Sequence, residues 1–178
     1  MSLSHSVNLE EEKFSFRLSR FLSEELSSQS SPTSFDIREF TRHLVSLSRS
    51  YQLDPLLVLA IIKSESDFRP DVKSNAGAIG LMQIRPIVMK EVGLEINILE
   101  PKDLWCPYKN THLGIHYFTF LLGKYRNNME KALVAYNIGP TALYQKILAD
   151  EEIPLAYYQK VMRNYRLFKR NRSANFCR

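Results

Sequence analysis

A chain of 178 residues with 44% hydrophobic and 11% aromatic content can bury one substantial core, is short for two, and has the composition of a globular protein. No stretch approaches the roughly 20 apolar residues that cross a bilayer; the longest apolar run is Leu56 to Ile62. The net charge of +5 is uneven: Lys160 to Arg178 holds seven basic residues and no acidic one, while residues 1–39 hold seven acidic and four basic.

Residues 1–33 read as a Ser-rich, acidic extension in which Phe14, Leu18, Phe21 and Leu22 recur at helical spacing, followed by a linker, Ser28-Gln29-Ser30-Ser31-Pro32-Thr33. Ile37, Phe40, Leu44, Leu47 and Tyr51 form the apolar stripe of a second helix, with Thr33 or Ser34 placed to cap it. Asp54-Pro55 is a strong start signal, a capping carboxylate before proline at the first helical position. The helix it opens runs to about Ser66, is apolar nearly all round and is therefore central. It must stop by Arg69, because the residue before Pro70 avoids the α region. Asp71 to Ile84 is turn-rich, with room for a short β-hairpin. Further helices are expected over Pro86 to Val92, Pro107 to Tyr125, Met129 to Asn137, Pro140 to Ala149 and Pro154 to about Asn171, with Pro86, Pro140 and Pro154 at first positions. The expected architecture is mainly α, one domain over 34–171 and a basic tail over 172–178.

Four short motifs carry chemistry: Glu65-Ser66, Gly80-Leu81-Met82-Gln83, Asn110-x3-Gly114-x2-Tyr117 and Ala135-Tyr136-Asn137. Glu65 falls on the last turn of the central helix, where desolvation and the negative end of the helix dipole both disfavour its charge. Both effects push its pKa upward, toward an acid that can protonate a leaving glycosidic oxygen. The glycines let backbone approach a ligand, Gln83 offers a donor and an acceptor, and Tyr136 can stack on a sugar face. Cys106 and Cys177 are expected as free thiols. His112 and His116 stand at i, i+4 without a third ligand, so they read as polar helix positions, and no metal or cofactor is expected.

These motifs, in order, resemble the soluble lytic transglycosylase domain, the goose-lysozyme-like group of peptidoglycan-cleaving enzymes. The resemblance runs from about Phe35 to Lys160. It includes Lys63-Ser64-Glu65-Ser66-Asp67-Phe68, Gly77-Ala78-Ile79-Gly80-Leu81-Met82-Gln83-Ile84 and Ala135-Tyr136-Asn137-Ile138-Gly139-Pro140. It implies a lysozyme-like α-helical fold and cleavage of the β-1,4 bond between N-acetylmuramic acid and N-acetylglucosamine. Glu65 would be the single acid/base, and the muramic C6 hydroxyl the internal nucleophile that closes a 1,6-anhydro ring. Intramolecular attack dispenses with a second carboxylate, since effective molarities reach about 10^5 to 10^8 M. The resemblance puts glycan contacts at Ser74, Gln83, Tyr136 and Asn137, with Met82, Arg85 and Tyr157 expected to join them as substrate-binding residues, while Asn110, Gly114 and Tyr117 are implied as scaffold.

Three positions depart from the family pattern. Arg85 stands where many relatives carry an apolar residue, Cys106 replaces a frequent capping Asp, and Ile153-Pro154-Leu155-Ala156-Tyr157 lacks a Glu that often precedes the tyrosine. Alternatives are a lysozyme-like hydrolase of the same bond and a catalytically weak glycan-binding assembly module. The expected partner is the peptidoglycan glycan strand, bound by a monomer. The basic end suits an anionic polymer or membrane surface, hence peripheral envelope association, and lacks the aromatic platform of a nucleic-acid site. The resemblance implies action in the periplasm or cell envelope. The start, Met1-Ser2-Leu3-Ser4, carries no leader pattern, which suits either a cytoplasmic protein or one whose leader has been removed.

Overall fold

Sequence periodicity becomes eight α-helices in the computed structural model, which describes residues 2–27, 35–98 and 100–175. They are α1 (Ser2–Ser27), α2 (Ile37–Ser50), α3 (Pro55–Ser66), α4 (Pro86–Val92), α5 (Pro107–Lys124), α6 (Met129–Ile138), α7 (Pro140–Leu148) and α8 (Ala156–Asn175). Two 3-10 turns, Gly93–Ile96 and Pro101–Trp105, connect α4 to α5. Among the described residues there is no strand: the loop after α3 makes only isolated bridges, Lys73 with Ile79 and Ile79 with Ile84. The fold is mainly α, as expected.

The centre of the core is α3. From Pro55 to Ile62 every residue is buried, which an all-round apolar sequence requires. Asp54 caps it, its side chain accepting the Leu56 N–H at 2.9 Å, and also accepts the Tyr165 hydroxyl of α8 at 2.7 Å. The most extensive helix pairing is α3 with α8, followed by α1 with α2. The amphipathic pattern of α1 is explained by that second pairing: Leu18, Leu22 and Leu26 join the same core as α3, and the Phe21 ring meets Phe168 of α8 edge-on at 5.1 Å. His112 and His116 are half-buried rather than solvated, and both face the Tyr51 hydroxyl, at 3.1 and 3.3 Å, tying α5 to the end of α2.

Several boundaries differ from expectation. The cap of α2 is Asp36, which accepts the Glu39 N–H at 2.7 Å, and not Thr33 or Ser34. Those two residues, the 28–33 linker and Cys177 lie outside the described residues. Pro154 does not open α8, which starts at Ala156. Ile153 and Leu155 both pack against the core, and only an extended segment turns residues i and i+2 to the same side. Pro107 takes a first helical position instead, beside Pro86 and Pro140. Beyond the expected boundary near Asn171, α8 continues to Asn175.

Candidate active site

Glu65 is the penultimate residue of α3, and the backbone leaves the helix abruptly after it. Asp67 (φ 54) and Phe68 (φ 61) both adopt left-handed conformations, which non-glycine residues rarely occupy. The buried Phe68 ring anchors this exit, so the chain turns away and leaves the Glu65 carboxyl at the end of the helix. The carboxyl is half-buried and lines a cleft of about 730 Å³. Burial raises its pKa to about 7, against two smaller opposing effects: the hydrogen bond from Tyr157 and the charge of Lys160. The Tyr157 hydroxyl donates to Glu65 Oε1 at 2.6 Å. Burial, then the charge of Glu65, holds both the Tyr136 and Tyr157 hydroxyls well above the ordinary tyrosine range, so both remain donors.

The Gly-rich loop is pinned from three directions. Asn110 of α5, fully buried, accepts the Met82 N–H at 2.8 Å through Oδ1 and donates from Nδ2 to the Ile79 and Leu104 carbonyls, both at 2.8 Å. Ser66 donates to the Leu81 carbonyl at 2.8 Å, and the Tyr136 hydroxyl donates to the Met82 carbonyl at 2.9 Å. Gly80 has φ +77, and a Cβ there would stand 2.7 Å from the Leu104 carbonyl oxygen and 2.4 Å from Asn110 Nδ2. Close approach, not flexibility, is what requires glycine at that point. Gly114 plays the complementary part: a Cβ would lie 2.4 Å from Met82 Sδ. Asn110 and Gly114 are therefore structural, as the resemblance implied. Tyr117 is buried but also reaches the cleft, its hydroxyl pushed up to about 12, chiefly by burial.

Of the sequence-derived contacts, Ser74, Gln83, Arg85, Tyr136 and Asn137 line the same cleft as Glu65. Ser74 is partly occupied by its own loop, its hydroxyl oxygen accepting the Ala78 N–H at 3.0 Å. Gln83 donates from Nε2 to the Val72 and Gly80 carbonyls at 3.2 and 3.0 Å, which leaves its amide oxygen as the group to offer a ligand. Met82 is a correction: its side chain is 0% exposed and sits against Gly114, so it is core, and only its carbonyl serves the site, by holding Tyr136. Tyr157 reaches the site through Glu65 rather than by lining the cleft. Cys106 stands at the cap position of α5 with no side-chain cap bond, consistent with a lost capping carboxylate, and is a free thiol.

Sequence reasoning missed several members. Ile87 and Glu91 of α4, and the Pro140-Thr141-Ala142 start of α7, complete the cleft wall. On α8, Lys160 donates to the Ser64 carbonyl at 2.5 Å and Asn164 donates to the Ser64 hydroxyl at 3.0 Å. Their spacing from Tyr157 (i, i+3, i+7) is one helical face, a signal present in the sequence but obscured there by the basic run.

The helical frame agrees with known proteins. Residues 45–154 match the transglycosylase SLT domain model. The chain is 34% identical over 104 residues to a soluble lytic murein transglycosylase of Salmonella typhimurium, covering 57% of this chain and 16% of the relative. It is 31% identical over 102 residues to a membrane-bound lytic murein transglycosylase E of Buchnera aphidicola, covering 53% and 45%. A transglycosylase of Enterobacteria phage PRD1 is 33% identical over 92 residues, covering 52% and 32%. This chain thus spans less than half the length of each. Among solved structures, the 70 kDa soluble lytic transglycosylase of Escherichia coli aligns with a TM-score of 0.60 at 23% identity, covering 89% of this chain and 30% of that one. A complex of a 70 kDa soluble lytic transglycosylase with bulgecin A gives a TM-score of 0.62 at 24% identity, covering 74% and 25%. These likenesses show the lysozyme-like helical fold. With the family model matched across α3 to α7 and Glu65 at the mouth of its central helix, this chain belongs to the transglycosylase SLT domain family.

Proposed function

We propose that this chain is a lytic transglycosylase domain that cleaves the β-1,4 bond between N-acetylmuramic acid and N-acetylglucosamine in murein. The observation that carries the reading is one carboxyl, Glu65, lifted to about 7 by burial and oriented by a tyrosine donor at the end of an open cleft. An acid with a pKa near the working pH suits both halves of acid/base catalysis. Glu91, the other carboxylate of the cleft wall, exerts its charge on Tyr117, whereas the groups acting on Glu65 are Tyr157 and Lys160.

In the first step the Glu65 proton passes to the glycosidic oxygen as the C1–O bond breaks, releasing the N-acetylglucosamine end with a new hydroxyl. The resulting carboxylate then accepts the proton of the muramic C6 hydroxyl while that oxygen bonds to C1. The ring closes as a 1,6-anhydro sugar, Glu65 is again protonated, and no water is consumed. A single residue suffices because the nucleophile belongs to the substrate. Gln83, Ser74, Arg85, Tyr136 and Asn137 are the proposed glycan contacts, with Tyr157 orienting the acid. The site of action would be where murein is, the periplasm or cell envelope.

Mass spectrometry of purified sacculi digested by the chain tests this. Anhydro-terminated muropeptides, absent with Glu65→Gln, are the expected result. Products ending in reducing sugars would instead assign a hydrolase, and undiminished cleavage by Glu65→Gln would remove the catalytic assignment.

A further inference from the structure

The face of α8 that packs on α3 places three polar side chains on two consecutive residues. Tyr157 bonds the Glu65 carboxyl at 2.6 Å, Lys160 bonds the Ser64 carbonyl at 2.5 Å, and Asn164 bonds the Ser64 hydroxyl at 3.0 Å. Ser64 in turn donates its hydroxyl to the Ala60 carbonyl at 2.7 Å, so the last turn of α3 is held from within and from α8. The Ser64 carbonyl is one of the four at the helix end that lack an intrahelical partner, and it lies at the negative end of the dipole. A cation fixed there satisfies the carbonyl and offsets the negative potential beneath the adjacent carboxyl. Its own helix offers Lys160 no rival, because α8 contains no Asp or Glu. Nor is Lys160 among the residues lining the cleft, so a direct substrate contact does not account for its placement.

We propose that Lys160 is a positioning residue for Glu65, clamping the end of α3 to α8 so that the Tyr157 hydroxyl meets the carboxyl, and setting a positive charge at the helix end beside it. This rests on the acid/base role given to Glu65 above. The groups coupled to Glu65 are Tyr157 and Lys160 from α8 and Tyr136 from α6, and Arg85 and Glu91 line the same cleft. On its own element Lys63 is paired with Asp67 at 2.7 Å, and the Arg69 Nε beyond the helix end donates to the Ser66 carbonyl. Lys160 is thus the one cation in this set whose charge acts on the Glu65 carboxyl.

The test is a pair of measurements on Lys160→Met and Lys160→Arg, each checked by thermal melting. With carboxyl-labelled glutamate, NMR titration should show the Glu65 midpoint moving up by about half to one pH unit in Lys160→Met and returning toward wild type in Lys160→Arg. On sacculi, the alkaline limb of the pH–rate profile should move up with it. kcat should fall while KM stays near wild type. An unmoved midpoint, or an Arg variant as shifted as the Met variant, would overturn the proposal. Should Lys160→Met fail to fold, Lys160→Gln, which keeps a donor without the charge, gives the same reading. A shifted midpoint in a protein that releases no anhydromuropeptides would sink the transglycosylase function while leaving the Lys160–Glu65 coupling supported.

Discussion

Glu65 is protonated in the folded chain over a pH range where it would be ionised in an unfolded one, so its burial makes stability depend on pH. Its pKa rises from 4.5 to about 7 on burial. Below about pH 4 both states hold the proton and the residue costs nothing. Between about 4.5 and 7 the unfolded chain releases its proton first, so native stability falls as pH rises. Above about 7 the full penalty stands, on the order of 3 kcal/mol. Glu65→Gln should therefore raise the melting temperature at about pH 8 and leave it nearly unchanged at about pH 4, as calorimetry at the two pH values would show. Tyr157→Phe removes a donor that favours the carboxylate. It should move the alkaline limb of glycan cleavage to higher pH, whereas a tyrosine that served only as packing would leave the limb in place.

At the scale of elements, the loop from Asp71 to Arg85 owes its shape to neighbours rather than to its own hydrogen-bond ladder. Asn110 supplies three of its fixing bonds or those of its surroundings: to Met82 N–H, the Ile79 carbonyl and the Leu104 carbonyl. Asn110→Ala strands all three backbone groups in the interior, which should cost about 3 kcal/mol or more, measured by chemical denaturation. Gly80→Ala meets a backbone oxygen that cannot yield and a positive φ besides. It should impair cleavage more severely than a surface substitution such as Lys124→Ala, assayed side by side on sacculi. Both predictions would fail if the loop tolerated these changes with unaltered melting and activity.

Across the whole molecule, α1 behaves as part of the core and not as an appended segment. Leu22 is 1% exposed and belongs to the same cluster as α3. Leu22→Ala should destabilise the entire fold by about 2–4 kcal/mol in a single cooperative transition. An independent early transition for α1 in hydrogen exchange would contradict this. The candidate site has the same long-range character: the groups around Glu65 come from α6 and α8, far along the chain from α3. The acid is tuned by packing that assembles only when the helices close on α3.

Local physics made much of this protein legible in the sequence. The apolar run with Asp54-Pro55 at its start determined α3 and its end, and the spacing of prolines and glycines determined α4, α6 and α7 to within a residue. Glu65 at an apolar helix terminus would by itself read as a solvated helix end; the four motifs in order, and the family they resemble, are what singled it out as the candidate acid. Tertiary structure alone decided what local pattern cannot carry. Met82 and Gln83 are adjacent and alike in sequence context, yet Gly114 takes the first into the core and the cleft receives the second. Pro154 looks like a helix start, but burying both Ile153 and Leu155 keeps the chain extended until Ala156. Lys160 reads as one charge in a basic run until α8 lies along α3, when the orphaned Ser64 carbonyl gives that charge its place. Burial and long-range hydrogen bonding are properties of the assembled core, and they are what turn a named glutamate into a tuned one.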